Sequence, residues 1–231
     1  MDTFEFNALN LKKIKQMIDV GCGNGRHLKS LSHKIQDAEI IGIDHSEKEI
    51  ESLKKEFNGY ICKNNNSINF IHDDIRRIPV KDNSQDLVIC SEVLEHVPNY
   101  EQVVSECYRL LKPGGVLLIS VPTYTPESLC WLFSKKYRQA PGGHIRIFKT
   151  NQLKESFHRK GLKLFNHHRQ HALHSIYWIL RSKNNMEETK FLKSFHEILV
   201  KQMFGQARFA AFIEKLLNPL FGKSECFYLL K

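Results

Sequence analysis

A chain of 231 residues, 42% of them hydrophobic, is long enough for one α/β domain with a sizeable core and at most a modest additional segment. It shows neither a basic-then-apolar leader nor a run of about 18 apolar residues, which argues against a secreted or membrane-spanning protein and favours a cytoplasmic one. Six cysteines occur without a Cys-x-x-Cys pair, so we expect reduced, buried thiols and no cysteine metal site.

The formal net charge of +9 is concentrated near the C-terminus. Residues 1–150 contain 20 lysines and arginines against 19 aspartates and glutamates, whereas residues 151–231 contain 14 against 6, a balance of +8. Such an excess favours an anionic partner: nucleic acid, the surface of an anionic membrane or a phosphorylated small molecule. A lysine-rich, solvated exterior is the other interpretation.

The first predicted strand ends in an acid that three alternating glycines follow. Residues 17–25 read Met-Ile-Asp-Val-Gly-Cys-Gly-Asn-Gly, which places Asp19 just before Gly21, Gly23 and Gly25. This pattern predicts a buried parallel strand, a tight turn with positive φ, and a helix directly after it. A dinucleotide-binding turn would read G-x-G-x-x-G, and here the third glycine comes one residue too early. The acid suits a positively charged ligand better than a phosphate.

Two further predicted strands also end in acids. Residues 39–44 end in Asp44, roughly 20 residues after the glycines, where a carboxylate can accept hydrogen bonds from ribose hydroxyls. Residues 70–74 end in Asp73 and Asp74. A fourth strand is predicted at residues 85–92, and a turn and a fifth strand at residues 111–120. One such acid would be interpreted as a helix N-cap, but three at successive strand ends favour a ligand-binding edge.

The remaining sequence predicts a helix, two strands and a long helical segment between those strands. Thr150 is a favourable N-cap for the helix, and Gly161 ends it. The sixth strand covers residues 162–168, and the seventh is delayed to residues 224–230. We expect residues 172–222 to form a helical insertion that covers the carboxyl ends of the strands.

Two apolar stripes run along this insertion, one made of Phe191, Phe195, Ile198 and Leu199 and the other of Phe209, Phe212, Ile213, Leu216, Leu217 and Leu220. Asn218-Pro219 is expected to end the second helix. We expect the stripes to pack on each other and on the sheet. An amphipathic anchor in peripheral contact with a membrane is the alternative.

The glycine turn, the three acids and the order of strands over residues 17–122 resemble the class I S-adenosylmethionine-dependent methyltransferases, in particular methyltransferase type 11 domains and the ubiquinone-pathway O-methyltransferases. The resemblance implies a Rossmann-like α/β fold, in which a seven-stranded, mostly parallel sheet has the order 3-2-1-4-5-7-6 and the insertion precedes the last strand. Residues 1–231 would form a single domain.

The same resemblance implies S-adenosylmethionine as cofactor. Asp19 would face its methionine end, Asp44 would accept from its ribose, and Asp73 would accept from its adenine amine. The whole set of implied cofactor-binding residues is Asp19, Gly21, Cys22, Gly23, Gly25, Asp44, His45, Asp73, Asp74, Ile75, Ser91 and Glu92.

The loop after the fourth strand reads Glu92-x-x-Glu95-His96. This spacing resembles the metal-binding Glu-x-x-Glu-His of the ubiquinone-pathway O-methyltransferases and of methyltransferases acting on the 3′-terminal 2′-hydroxyl of small RNAs. His144 stands where the RNA branch has a further histidine. The resemblance implies a divalent metal on Glu92, Glu95, His96 and His144, with Mg²⁺, Mn²⁺, Zn²⁺ and Co²⁺ all allowed. Similar loops occur in metal-free members, and His96 or His144 is then the candidate general base.

Two functions follow from the resemblance. The first is O-methylation of a small-molecule hydroxyl on a polyol, sugar or phenol. The second is methylation of RNA, at a ribose 2′-hydroxyl or in tRNA, with the basic C-terminal third holding phosphates. Two observations argue against the second function. The sequence shows no separate RNA-binding module, and its aromatic residues are not interleaved with basic ones. A non-catalytic binding protein fits poorly with an intact glycine turn and three acids.

A second group of histidines surrounds the end of the sixth strand: His167, His168, His171 and His174. Because this segment turns from strand to helix, they cannot all face one way, and we do not expect a four-histidine metal site. One or two facing the cavity, with Tyr177 and Trp178 as a wall for the substrate, is the functional alternative.

Overall fold

The computed structural model describes residues 2–58, 64–203 and 205–231. A seven-stranded sheet forms its centre, with strands β1 Gln16–Val20, β2 Glu39–Asp44, β3 Ser67–His72, β4 Gln85–Ser91, β5 Leu111–Pro122, β6 Lys163–Gln170 and β7 Ser224–Leu230. The strand order is β3-β2-β1-β4-β5-β7-β6, and β7 runs antiparallel to both of its neighbours while the other pairs are parallel. The predicted fold class and strand order are confirmed.

Helices connect these strands: α1 Arg26–Ser32, α2 Glu47–Phe57, α3 Tyr100–Leu110, α4 Tyr124–Phe133, α5 Lys135–Arg138, α6 Thr150–Arg159, α7 Ala172–Lys183, α8 Lys190–Met203 and α9 Arg208–Phe221. Two short 3₁₀ turns, Phe6–Ala8 and Leu11–Lys13, precede β1. Within the described ranges, none of the helices has both the length and the apolar character that crossing a bilayer requires.

The sheet has an apolar core on each face, because alternate residues of a strand point to opposite sides. On β4, Val88 and Cys90 belong to one core, whereas Leu87 and Ile89 belong to the other. All four are fully buried. Since β1 to β6 run in one direction, their carboxyl ends meet at one edge of this rigid sheet. The side chains that the sequence analysis assigned to ligand binding follow the strands at that edge.

The segment between β6 and β7 folds into α7, α8 and α9, which share a small apolar core of Leu173, Tyr177, Leu192 and Leu199. Ile213 and Leu217 of α9 pack against it. The expectation that the whole α9 stripe is buried is wrong: Phe209, Phe212, Leu216 and Leu220 are between 59% and 76% exposed. Apolar residues extend around more of α9 than its contacts with α7, α8 and β6 bury.

Two predicted helix boundaries also differ from the structure. Pro219 does not end α9, which continues to Phe221, because a proline in the last turn removes only one hydrogen bond and Gly222 N still donates to Asn218 O. Thr150 is the first residue of α6 and Lys149 is its N-cap. The Thr150 hydroxyl donates to Glu225 instead of capping the helix.

The thiols are reduced, as expected, at the five cysteines that the structure describes. Cys22, Cys90, Cys107, Cys130 and Cys226 are buried and free. Cys62 lies outside the described residues. Burial raises the pKa of Cys130 to about 11, which keeps this thiol protonated and unreactive.

Glu225 joins β7 to its neighbours through a buried carboxylate. It is fully buried and accepts hydrogen bonds from Thr150 Oγ1 at 2.8 Å and His167 Nε2 at 3.1 Å, with Arg169 Nη2 at 3.3 Å. Burial favours the neutral form, but the hydrogen bonds from His167 and Thr150 and the charge of Arg169 outweigh it. The pKa of Glu225 is therefore lowered below the ordinary glutamate value of 4.5.

We expect Glu225→Ala to lower the free energy of unfolding by about 3 kcal/mol, because it leaves His167 and Arg169 partly buried without their acceptor. Since the folded pKa of Glu225 is depressed, its contribution is present above pH 4.5 and is lost as the pH falls through the folded value. Urea unfolding at several pH values measures both effects. Glu197→Ala on the exposed face of α8 is the control, and equal losses of stability in the two variants would contradict the account.

Candidate active site

The three glycines after β1 serve two different purposes. All have positive φ, at +72° for Gly21, +47° for Gly23 and +71° for Gly25. A Cβ on Gly21 would lie 2.5 Å from Val93 Cγ2, and one on Gly25 would lie 2.6 Å from Leu53 Cδ2, so both positions exclude side chains by packing. A Cβ on Gly23 would meet no atom within 4 Å. Gly23 therefore borders open space, where a ligand can approach the backbone.

That space is a cavity of about 1100 Å³ at the carboxyl edge of the sheet. It exceeds the range of about 300–1000 Å³ that is usual for the pocket of one small ligand, so it offers room for a cofactor and an acceptor. Eight of the twelve residues assigned to the cofactor from the sequence line it: Gly21, Gly23, Asp44, His45, Asp73, Asp74, Ile75 and Glu92.

The other four assigned residues, Asp19, Cys22, Gly25 and Ser91, do not line the cavity. The Cys22 side chain packs into one of the apolar cores of the sheet. Ser91 Oγ lies 2.8 Å from Ser120 Oγ, with which it shares a hydrogen bond. These two residues and Gly25 therefore shape the edge of the sheet without presenting side chains to the cavity.

Asp19 is the buried acid of this edge. It is 1% exposed, and its Oδ2 has no hydrogen-bond partner in the structure. Burial raises its pKa to about 7, although the nearby charge of Arg26 opposes the shift. An unpaired buried carboxylate is costly and is stabilised by a cationic ligand. Its chemistry therefore fits the positively charged methionine end of adenosylmethionine.

Asp44 fixes the glycine turn as well as lining the cavity. Its Oδ2 accepts from Gly23 N and its Oδ1 from Ser46 N, each at 2.9 Å. Further along the edge, Asp73 and Asp74 follow β3, and Asp74 forms an ion pair with Arg76 at 2.6 Å. The acids predicted at three successive strand ends thus meet at one edge, with Asp44 and Asp73 both at the cavity.

The loop after β4 carries three residues of the predicted metal set, Glu92, Glu95 and His96. Glu92 has φ +55°, and residues 92–97 form a bend and a turn instead of a helix. The Glu92 carboxylate accepts from Ser120 Oγ at 2.9 Å. Consequently, Glu92 lines the cavity but lies apart from the other three residues of the predicted metal set.

Those three residues, Glu95, His96 and His144, do come together. One ligand atom from each lies within 4.8 Å of the others, with Glu95 Oε1 at 3.8 Å from His96 Nε2 and 3.9 Å from His144 Nε2. The backbone joins the two loops, since Ile145 N donates to Glu95 O at 3.0 Å. The two imidazole rings lie 5.0 Å apart, between centroids.

The other nitrogen of each ring is engaged, which directs the Nε2 atoms towards Glu95. His144 Nδ1 lies 2.7 Å from Glu127 Oε1, and His96 Nδ1 lies 3.2 Å from the carbonyl oxygen of Gly143. Because a carboxylate oxygen and a carbonyl oxygen only accept hydrogen bonds, each Nδ1 is the donor, and in the neutral form of each ring Nε2 then carries the lone pair. Burial, together with the charge of His144, lowers the pKa of His96 and favours its neutral form.

Glu95 is the group that this arrangement leaves unsatisfied. It is fully buried, and neither of its carboxylate oxygens has a hydrogen-bond partner in the structure. Burial raises the pKa of Glu95 well above its ordinary value, and the charges of Glu92 and Glu127 add to the shift. An acid in such a place either holds a proton or balances its charge against a cation.

Glu127 is a member of the site that the sequence analysis missed. It lies on α4 and also accepts from Trp131 Nε1 at 3.0 Å and Tyr137 OH at 3.1 Å. Burial opposes its ionisation, but the hydrogen bond and charge of His144 outweigh burial and lower the pKa of Glu127. The available signal was an acid within the otherwise apolar α4, a position that usually needs a partner.

The sequence analysis also missed part of the wall of the cavity. Residues 138–140 and 142–145 line it, including Arg138, Gln139 and His144, whereas its lining residues include none from 172–222. The expectation that the helical insertion covers the site does not hold for this cavity, because α7 packs on α4 and α9 packs on β6. Tyr177 and Trp178, expected as a substrate wall, instead belong to or pack against the insertion's core.

The four histidines at the end of β6, residues 167, 168, 171 and 174, contact different parts of the protein. His167 contacts Glu225, and His168 Nε2 lies 3.3 Å from Thr3 O. His171 and His174 lie beside Glu214 of α9. The four rings therefore do not form one site.

Comparison with known proteins agrees with this geometry. Residues 18–119 match the family model described as a methyltransferase domain. They form a class I S-adenosylmethionine-dependent methyltransferase domain. The glycine turn, the acids at the carboxyl edge and strands β1 to β5 of this methyltransferase domain all lie within, or overlap, the matched residues.

Two curated relatives and one solved structure illustrate the similarity. The ubiquinone biosynthesis O-methyltransferase of Dechloromonas aromatica is 35% identical over 120 residues, which cover 49% of this chain and 47% of that protein. The demethylmenaquinone methyltransferase of Staphylococcus saprophyticus is 32% identical over 133 residues, covering 56% and 55%. A mycolic acid cyclopropane synthase complexed with SAH and CTAB superimposes with a TM-score of 0.65 at 16% identity, covering 98% of this chain and 81% of that one. The matches span about half the length of the two curated relatives, and the structural similarity shows the fold alone.

For the cofactor site of the methyltransferase domain, we expect Gly23→Val to abolish binding of adenosylmethionine, because a side chain there fills the open space beside the turn. Calorimetric titration measures the binding. Gly114→Val is the matched control, since Gly114 also has positive φ and open surroundings but lies outside the cavity. The wild-type protein should not bind NAD. Binding of NAD, or unchanged adenosylmethionine affinity in Gly23→Val, would contradict the assignment.

Proposed function

We propose that this protein transfers a methyl group from S-adenosylmethionine to a hydroxyl oxygen of a small-molecule acceptor, a polyol, sugar or phenol, with the help of a divalent metal held by Glu95, His96 and His144. The observation that carries the proposal is the Glu95 carboxylate, which is fully buried without a hydrogen-bond partner and faces two imidazole nitrogens.

The distances favour a shared cation over a shared proton. At 3.8 and 3.9 Å, the Nε2 atoms are too far from Glu95 Oε1 for hydrogen bonds. Ligand atoms about 2.0–2.2 Å from one metal ion lie roughly 3–4 Å from each other, which is close to the observed spacing. One carboxylate and two neutral imidazoles suit Zn²⁺, Mn²⁺ or Co²⁺ better than Mg²⁺, which prefers oxygen ligands.

The surrounding residues support a metal at this place. Glu127 accepts the Nδ1 proton of His144 and Gly143 O accepts that of His96, which is how metal-binding histidines are usually oriented. Three protein ligands would leave positions for two neighbouring oxygens of an acceptor. Such an ion would lower the pKa of the acceptor hydroxyl, so that its oxygen is deprotonated near neutral pH.

Adenosylmethionine, when bound, supplies an electrophilic methyl group. The turn at Gly23 and the acids Asp44 and Asp73 would place the cofactor, and Asp19 would balance its positive charge. The cavity wall at residues 138–140 and 142–145 carries His144 on the acceptor side and contributes Arg138 and Gln139 beside it. The work of the protein is thus to align two reactants and to remove a proton.

The relatives favour one class of acceptor. The names of the two curated relatives refer to ubiquinone biosynthesis and to demethylmenaquinone, both of which concern quinone precursors. An aromatic acceptor with two adjacent hydroxyls would supply both oxygens that a metal at Glu95 leaves room for. We therefore propose a catechol or another vicinal diol as the acceptor.

A metal-free mechanism is the second candidate. His144 is held by Glu127 through Nδ1, which leaves Nε2 as a base oriented in the manner of a histidine–carboxylate pair. In that case Glu95 would hold a proton, as its raised pKa allows.

We expect chelation with EDTA to abolish methyl transfer to a catechol and added Mn²⁺ or Zn²⁺ to restore it. Glu95→Gln should reduce the rate roughly 100-fold or more while leaving the affinity for adenosylmethionine nearly unchanged, because Glu95 lies outside the expected adenine and ribose site. Transfer of a labelled methyl group and calorimetry measure the two quantities. Glu101→Gln, an exposed carboxylate of α3, is the control.

Full activity in EDTA would remove the metal from the mechanism and leave His144 as the base. Offering the labelled cofactor together with a metabolite pool and an RNA pool separates the two acceptor classes. Methylation of RNA alone, with a rate that falls steeply as salt rises, would replace the small-molecule proposal by the RNA alternative that the basic C-terminal third suggests.

The exposed stripe of α9 supports peripheral contact with an anionic membrane. Phe209, Phe212, Leu216 and Leu220 are exposed on a helix that also carries Arg208 and Lys215, and residues 151–231 have an excess of positive charge. Apolar side chains flanked by basic ones bind the interface of anionic bilayers.

We therefore expect the protein to float with vesicles that contain phosphatidylglycerol and to bind phosphatidylcholine vesicles more weakly, as measured by vesicle flotation. Phe209→Ser combined with Phe212→Ser should reduce binding because it removes apolar area from α9. Phe165→Ser, which removes an exposed phenylalanine from β6, is the matched control. Equal binding of both variants would exclude α9 as the contact.

A further inference from the structure

A second cluster of metal-binding side chains lies in the helical insertion, apart from the residues assigned to methyl transfer. His171 directly follows β6 and is the N-cap of α7, with a left-handed φ of +69°. His174 lies one turn into α7, and Glu214 lies in the middle of α9. One ring nitrogen of each histidine and one carboxylate oxygen lie within 4.8 Å of one another.

The polar atoms of this cluster lack partners within the protein. His171 is 8% exposed, and neither of its ring nitrogens has a hydrogen-bond partner in the structure. Glu214 is 2% exposed, and its Oε1 is also unpaired, 3.9 Å from the unpaired Nδ1 of His174. A buried polar group without a partner destabilises the folded protein, so several converging on one point indicate that a ligand satisfies them.

We propose that His171, His174 and Glu214 bind a divalent transition metal, Zn²⁺ in the first instance, which joins α7 to α9. Two imidazoles and one carboxylate form a donor set that Zn²⁺ uses with a fourth position left for water or another ligand. The distance of 3.9 Å between His174 Nδ1 and Glu214 Oε1 already lies within the roughly 3–4 Å that separates two ligand atoms of one zinc ion, and small side-chain rotations can complete the site.

The donor atoms and the charges around this cluster favour a metal that binds nitrogen strongly over one that depends on oxygen ligands. Both ring nitrogens of the buried His171 are unpaired, so a lone pair is available to a metal that binds nitrogen, and the positive charges of Arg26 and Lys223 act on this ring. The same two basic residues oppose the arrival of a cation, and Glu214 offers only one negative charge. Ca²⁺ and Mg²⁺, which depend on several oxygen ligands, are therefore disfavoured relative to Zn²⁺.

Gln202 of α8 orients the Glu214 carboxylate through a hydrogen bond. It is buried, and its Nε2 donates to Glu214 Oε2, which leaves Oε1 directed towards the histidines. A partner of this kind fixes the orientation of a metal-binding carboxylate. Through Gln202 the proposed site connects all three helices of the insertion.

The test uses the full chain without a histidine tag, in the His144→Ala background so that Glu95 and His96 cannot complete the other cluster. We expect the metal-free protein to bind one Zn²⁺ per chain in competition with a chromophoric chelator. A further His174→Ala or Glu214→Gln change should weaken binding by roughly 100-fold or more, and Gln202→Ala by about 10–100-fold. His158→Ala, which removes an exposed histidine of α6, should leave the affinity unchanged.

Thermal unfolding gives a second measurement. Zn²⁺ should raise the Tm of the His144→Ala protein and should not raise it once His174 is replaced, because only the folded protein holds the ligands together. If a variant fails to fold, X-ray absorption of the zinc-loaded His144→Ala protein decides, with two imidazole ligands expected. Failure to bind zinc stoichiometrically, zinc bound without two imidazoles, or affinity unaffected by His174→Ala and Glu214→Gln would each overturn the proposal.

Discussion

The burial of carboxylates at the carboxyl edge of the sheet is the constraint on which the rest of this structure depends. The strands that pack both apolar cores run in one direction and end at one edge, so the acids that follow them converge there. Asp19 and Glu95 are nearly or fully buried, and each has at least one oxygen without a partner in the structure. Proteins retain groups of this kind at a cost in stability where a ligand compensates their charge. A sulfonium cofactor beside Asp19 and a divalent ion beside Glu95 would together account for both acids.

At the same edge, some glycines and acids serve the packing of the protein and others face the cavity. At Gly21 and Gly25, Val93 and Leu53 leave no room for side chains, whereas Gly23 borders open space at the cavity. Asp44 fixes the turn through Gly23 N and also faces the cavity. On the other side of the sheet's centre, Glu225 is buried yet fully hydrogen-bonded, and its pKa is lowered where that of Glu95 is raised. Hydrogen bonding to the charged form thus accounts for the opposite pKa shifts of these two buried acids.

The sequence was sufficient for the sheet and for the glycines and acids that line the cavity, because both follow from short local patterns. Apolar runs that end in acids define strands and their carboxyl ends, and the glycine turn defines the approach of a ligand. Glu127 was missed because its role depends on His144, 17 residues away, and on the fold of α4, which no local motif indicates. Glu92 was assigned to the metal because the spacing Glu92-x-x-Glu95-His96 resembles a metal-binding motif, whereas the backbone has a positive φ at Glu92 and its carboxylate accepts from Ser120. The exposure of α9 could not be predicted either, because an amphipathic pattern shows which residues share a face and not what covers that face.

Crystals grown with S-adenosylhomocysteine and Mn²⁺ offer the most direct measurement of the central claim, that Glu95 balances a metal ion in the active site. Diffraction data at a wavelength where manganese scatters anomalously would locate the ion independently of the protein atoms. The account predicts one anomalous peak bonded to Glu95, His96 Nε2 and His144 Nε2, with the Glu127–His144 hydrogen bond retained. A cofactor-bound structure that shows no such peak, with Glu95 instead hydrogen-bonded as a protonated acid, would contradict it.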